Sequence, residues 1–246
     1  MRVFVEFALS SDTTEAIVSE PDGSVLGRGS SDRRSDDDVA CAVARREALA
    51  VTRLTLVRRS LSALRLDPST VERVMRALEA RWRAAWHYVQ LKRLGAQLLA
   101  EVEALERLYP AARLEPAVRE VIAGMRTAPE PFDGARGFAT SLRDQASRQW
   151  TRLARAAATS PERPYEALLA VFDRAILAVE AQTTDLPLSI FAGVAVSDAV
   201  ASGDLAASRG SDIERELERA ACVPLEVTVS QARERRAVEL PVEVAS

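Results

Sequence analysis

Cysteine, histidine, lysine and aromatic side chains are all scarce in this 246-residue chain, and each scarcity closes off a class of chemistry. The two cysteines, Cys41 and Cys222, form no CxxC pair, and His87 is the one histidine, so neither a zinc knuckle nor a local redox pair can be built. They read as buried thiols of a reducing compartment. One histidine and the absence of GxSxG set aside a seryl nucleophile with a triad. Charges interrupt every apolar run short of the roughly 18 to 20 residues that a membrane-spanning helix needs. The opening MRVFVEF has no basic region, apolar core or cleavage site of a signal peptide, so a cytoplasmic location is expected. Net charge is -3, which argues against a phosphate backbone as the main partner and leaves only a local basic patch open for nucleic acid. Of the 33 basic residues Lys92 alone is lysine, a bias that fits a GC-rich bacterial genome.

What is present is a globular composition, 48% hydrophobic and 28% charged, at a length that suits one large domain or a small one with a big insertion. Val3, Val5, Phe7 and Leu9 alternate with Arg2, Phe4, Glu6 and Ala8, as in a half-buried strand. A turn at Ser10-Ser11-Asp12-Thr13, a second strand over 15–20 and a tight turn at Pro21-Asp22-Gly23 into 24–29 complete an antiparallel meander.

Helices follow. Ser35 and Asp36 to Asp38 make an acidic first turn suited to a helix dipole, and Val43, Ala50, Val57 and Leu64 then recur every seven residues with Leu54 and Leu61 between them. Glu47 falls in that apolar stripe and is out of place there. Asp67-Pro68-Ser69-Thr70 stops one helix and starts another, which runs without proline to Leu108 and changes the phase of its apolar face near Gly95. Further helices are expected over 116–126, 135–158 and about 162–183. The nearly continuous apolar run over 188–196 predicts a buried parallel strand, Ser211-Asp212-Ile213-Glu214 a capping box for a helix through Cys222, and 224–229 a second strand, giving a crossover unit. Residues 238–244 alternate like a strand but contain Pro241, so they read as an edge strand or tail.

The expected fold is therefore α+β and helix-dominated, with a small mixed sheet drawn from both ends of the chain (1–66 and 187–246) and a helical insertion over 67–186. This succession resembles the ribonuclease-H-like core shared by ribonuclease H nucleases and actin-like ATPases. Thr14 to Val18 followed by Pro21-Asp22-Gly23-Ser24-Val25-Leu26-Gly27-Arg28-Gly29-Ser30 resembles the opening hairpin of the BadF-type ATPases. In those ATPases a glycine-rich phosphate loop joins the first two strands; here the stretch is Glu6-Phe7-Ala8-Leu9-Ser10-Ser11-Asp12, and without glycine its amides cannot approach a phosphate closely. In the nucleases, carboxylates on the first strand, first helix and end of the fourth strand hold two magnesium ions. The resemblance implies Glu6, Glu47 and Asp198 for those places, activating water against a phosphodiester. The same residues admit a structural reading: Glu6 facing solvent, Glu47 paired with an arginine, Asp198 capping a turn.

Two further constellations lie on the long helix. Arg81 and His87, six positions apart, resemble the Rx4-6H signature of the HEPN ribonucleases, which dimerise around RNA; the resemblance implies a proton-shuttling histidine and a phosphorane-stabilising arginine. Structurally, His87 would simply pack beside Trp86 and Tyr88. Trp82, Trp86 and Tyr88 concentrate aromatic area and are either a core anchor or a partner-binding hot spot. Taken together the sequence points to a non-catalytic interaction or assembly protein acting through its helical region, as a homo-oligomer or on a protein partner. No cofactor is expected, magnesium entering only under the nuclease alternative, and no membrane partner.

Overall fold

In the computed structural model, which describes residues 1–32, 37–108, 114–127, 138–158, 165–182, 186–229 and 233–234, the amino-terminal alternation forms β1 (Arg2–Leu9), β2 (Thr13–Ser19) and β3 (Val25–Asp32). Both neighbouring pairs are antiparallel, with a register irregularity at Val18/Ser19. β4 (Glu226–Val229) lies parallel to β1 in the register Arg2↔Glu226 to Val5↔Val229, and β5 (Arg233–Glu234) pairs with the far end of β1. The order is β3-β2-β1-β4, so the sheet is mixed and joins both ends of the chain, as the sequence predicts. The amino group of Met1 reinforces the join by donating to the Pro224 carbonyl at 2.8 Å.

The chain divides into two compact units: Met1–Thr52 with Pro224–Ser246, and Arg53–Val223. In the first, the part of α1 (Asp37–Ala63) up to Thr52 covers the sheet face that carries Val3, Val5, Ala16 and Val18, all fully buried. Asp37 and Asp38 occupy its first turn, where carboxylates favour the helix dipole; the Ser35 and Asp36 part of the expected cap lies outside the described residues. The helix can sit this close because β3 presents Gly27 and Gly29. A Cβ on Gly29 would stand 2.2 Å from the Ala44 carbonyl oxygen, and one on Gly27 2.3 Å from that of Ala48. Backbone atoms cannot yield as a side-chain tip can, so only glycine fits at either place.

In the second unit, α2 (Pro68–Leu108) is a single helix of 41 residues, about 60 Å long at 1.5 Å per residue. Asp67 starts it. Its carboxylate accepts the Ser69 hydroxyl and the Ser69 and Thr70 amides, which hold it below the usual carboxylate range, and Pro68 takes the first helical position. The second half of α2 packs with α3 (Glu115–Thr127), α4 (Phe138–Ala157) and α5 (Tyr165–Ala181) around Leu94, Leu98, Val121, Trp150, Phe172 and Ile176. Trp150 stacks on Phe172 with ring centroids 5.4 Å apart and donates its indole N–H to the Leu168 carbonyl at 3.1 Å. Glu106 caps α3 from outside, accepting the Leu114 and Glu115 amides at 2.7 and 2.9 Å.

The carboxy-terminal part of this unit corrects the sequence reading. Residues 188–196 are not a strand: Leu188–Phe191 is a short 3-10 turn and Ala192–Ala201 is helix α6. A short apolar run does not distinguish strand from buried helix, and the burial decides it, because Ala192, Ala195, Val196 and Ala199 are buried at helical spacing. The expected strand-helix-strand crossover is therefore absent, and Asp198 stands on a helix. Helix α7 (Gly210–Ala221) follows a 3-10 turn, Ala207–Arg209. Its N-cap residue is Arg209, with no side-chain cap bond, so the predicted Ser211 capping box is not used and Ser211 lies inside the helix. Residues 238–244 lie outside the described residues.

Candidate functional site

Helix α6 runs antiparallel to the first half of α2, and three contacts fix the register. Arg73 Nε pairs with Asp204 Oδ1 at 2.8 Å, Arg81 grips Asp198 Oδ2 through Nε at 3.0 Å and Nη2 at 2.9 Å, and the Trp82 indole N–H donates to the Leu186 carbonyl at 2.9 Å. As α2 advances, its partners recede along the chain. Tyr88 stands two turns beyond Arg81 on the same side of α2, about 10 Å along the axis. Val194 stands one turn back from Asp198 on α6, and Ile190 lies in the 3-10 turn that precedes that helix. Val194, Ile190 and Tyr88 are 45%, 62% and 69% exposed.

The sequence of α6, AGVAVSDAVA, explains why this surface is unusual. A helix on a protein surface ordinarily turns an apolar stripe inward and charges outward. Here the inward stripe of alanines and Val196 is matched on the outside by Val194, Ser197 and Ala201, all exposed. Asp198 is the helix's one charged residue, and Arg81 neutralises it. Exposed Ala84 continues the small-residue surface on α2. The inner side of α6 is covered and its outer side is exposed.

The residues singled out from the sequence are distributed as follows. Glu6 is exposed on β1, on the side of the strand away from Val3 and Val5. Glu47 is 5% exposed on α1, and its Oε2 accepts the amide of Ser30, a residue of the sheet-edge strand β3, at 3.3 Å. It borders a cavity of about 210 Å³ also lined by Glu15, Arg28 and Ser30. Asp198 belongs to the other unit and is taken up by Arg81. Of the two strands that lie parallel to β1, β4 ends at Val229 and β5 at Glu234. Among the described residues no three His, Cys, Asp or Glu side chains come together as metal ligands. The expected metal set Glu6, Glu47 and Asp198 is thus not assembled.

Arg81 and His87 are likewise not a pair: six residues on a helix leave them about 120° apart, and Arg81 is committed to Asp198. His87 is half-buried, and desolvation lowers its pKa below the ordinary imidazole value. Trp82 and Trp86 are 7% and 3% exposed and so serve as core anchors, correcting their assignment to a partner surface; of that trio Tyr88 alone is at the surface. The cysteines are not buried as expected: Cys222 is exposed and Cys41 half-buried, its thiol pushed up by burial and by Asp37 and Asp38. Ile190 and Val194 were hidden from sequence reasoning because they sit in a run that resembles a buried strand. The signal that could have found them is the lack of charge in that run.

No helix of the described residues is long and apolar enough to cross a membrane. No family model, curated protein or solved structure matches this chain.

Proposed function

We propose that this chain is a non-catalytic interaction or assembly protein that docks a protein partner on the outer face of α6 and the adjoining turns of α2. The observation that carries the reading is that Ile190 and Val194 stand 62% and 45% exposed at and just before a helix whose one charged residue is Asp198, in a chain that is 28% charged. A surface helix ordinarily turns charges outward. Among the residues singled out from the sequence, Glu47 holds an edge amide, Asp198 pairs with Arg81, and Trp82 and Trp86 fill the core. The two free cysteines fit a reducing compartment such as the cytoplasm.

The test is site-specific photo-crosslinking in the producing cell, with a benzophenone amino acid at Val194 and, as control, at exposed Arg215 of α7. The reading expects a discrete protein adduct from position 194, lost on Ile190→Glu, and none from 215. Absence of an adduct at 194, or the same adduct from both positions, would overturn it.

A further inference from the structure

We infer that Glu47 guards the free edge of the sheet, holding the Ser30 amide through which β3 of a second copy would pair with this one; this stands apart from the docking on α6. In the order β3-β2-β1-β4, β3 has β2 on one side and, among the described residues, no strand on the other. The edge runs for eight residues, Val25–Asp32. Unpaired N–H and C=O groups along such a strand are a template for another chain, and a charged side chain turned in on the edge is one way to block it.

The close seating of α1 on β3 puts Glu47 in place. Its Cβ lies 2.8 Å from where a Cβ on Gly29 would stand, and from there Oε2 accepts the Ser30 amide at 3.3 Å while the residue stays 5% exposed. Backbone groups alternate in direction along a strand, so Arg28 and Asp32 face the free edge as Ser30 does. All three side chains are exposed. Antiparallel pairing of two such edges about Ser30 would set Ser30 against Ser30, exchanging the very amide that Glu47 holds. It would also place Arg28 of each copy opposite Asp32 of the other, an attractive cross-strand pair. The edge is thus complementary to itself in charge, and Glu47 keeps it single. That use accounts for a carboxylate in the apolar stripe of α1.

Residue-resolved hydrogen exchange and sedimentation velocity of the full chain test this. In the wild type, after correction for intrinsic rates, the Ser30 amide should exchange about tenfold more slowly than those of Arg28 and Asp32. Dilute Glu47→Ala should lose that difference. Concentrated Glu47→Ala should associate beyond the wild type, adding Arg28→Asp should weaken the association, and adding Asp32→Arg to both should restore it. Glu47→Gln, which keeps an acceptor, should sediment like the wild type. A wild-type Ser30 amide that exchanges as fast as that of Arg28 would overturn the inference. So would a folded Glu47→Ala that sediments like the wild type at every concentration, or one whose association Arg28→Asp leaves unchanged. If Glu47→Ala does not fold, the wild-type exchange rates decide. None of these outcomes involves Val194, so failure here leaves the docking reading standing.

Discussion

Helices α1 and α6 both carry stripes of small residues, and they differ in what meets those stripes. On α1, Ala44 and Ala48 are seated against Gly27 and Gly29 so closely that no Cβ could intervene, and Glu47 reaches past them to the Ser30 amide of β3. That contact is closed: apolar area is buried, and a polar group of the edge strand has a partner. On α6 the inner stripe is equally well buried, but Val194, Ser197 and Ala201 on its outer side are exposed, and Asp198 is its one charged residue. Small apolar residues thus have two uses in this chain, tight internal seating in one unit and an exposed surface in the other. The number of alanines alone does not separate them; the facing residues do.

Substitutions should divide along the same line. The largest effect is expected from Gly29→Ala, whose new Cβ would collide with the Ala44 backbone; urea unfolding should show a loss of about 3 kcal/mol. Next comes Glu47→Ala, which removes the acceptor of a buried strand-edge contact and should cost about 2 kcal/mol, with Glu47→Gln recovering part of it because an acceptor is retained. A smaller effect is expected on acidification. His87 takes up its proton at lower pH in the folded chain than when unfolded, so the unfolded state binds more protons just below the ordinary imidazole pKa of about 6.5. Stability should be full above that pH and decline below it toward the lowered folded pKa, and His87→Gln should flatten the decline when melting is followed against pH. The smallest effect belongs to Val194→Asp, within about 0.5 kcal/mol in urea, because the side chain is already in water in the single chain. A large loss there would mean that the outer face of α6 is packed within the chain, and the contrast with α1 would disappear.

Much of the architecture could be read from local pattern. The alternation of Val3 and Val5, the Pro21-Asp22-Gly23 turn and the proline-free run to Leu108 each specify an element by themselves, and the mixed sheet from both chain ends followed from them. The errors came where meaning depended on distant residues. Glu47 stood out as a carboxylate in an apolar stripe, but its partner is a β3 amide seventeen positions away, which no local pattern reveals. Gly27 and Gly29 read as hairpin wording, whereas their requirement comes from the α1 backbone. The run over 188–196 reads as a strand because its apolar residues leave no gap, and the same lack of charge marks the candidate site on the 3-10 turn and helix it forms. That strand would have carried Asp198, which stands on helix α6 instead.

Photo-crosslinking from Val194 probes the exposed side of α6 most directly. A benzophenone amino acid there should give a discrete protein adduct that Ile190→Glu removes, while the same group at exposed Arg215 of α7 gives none. Position 194 without an adduct, or with the same adduct as 215, would contradict the proposed docking.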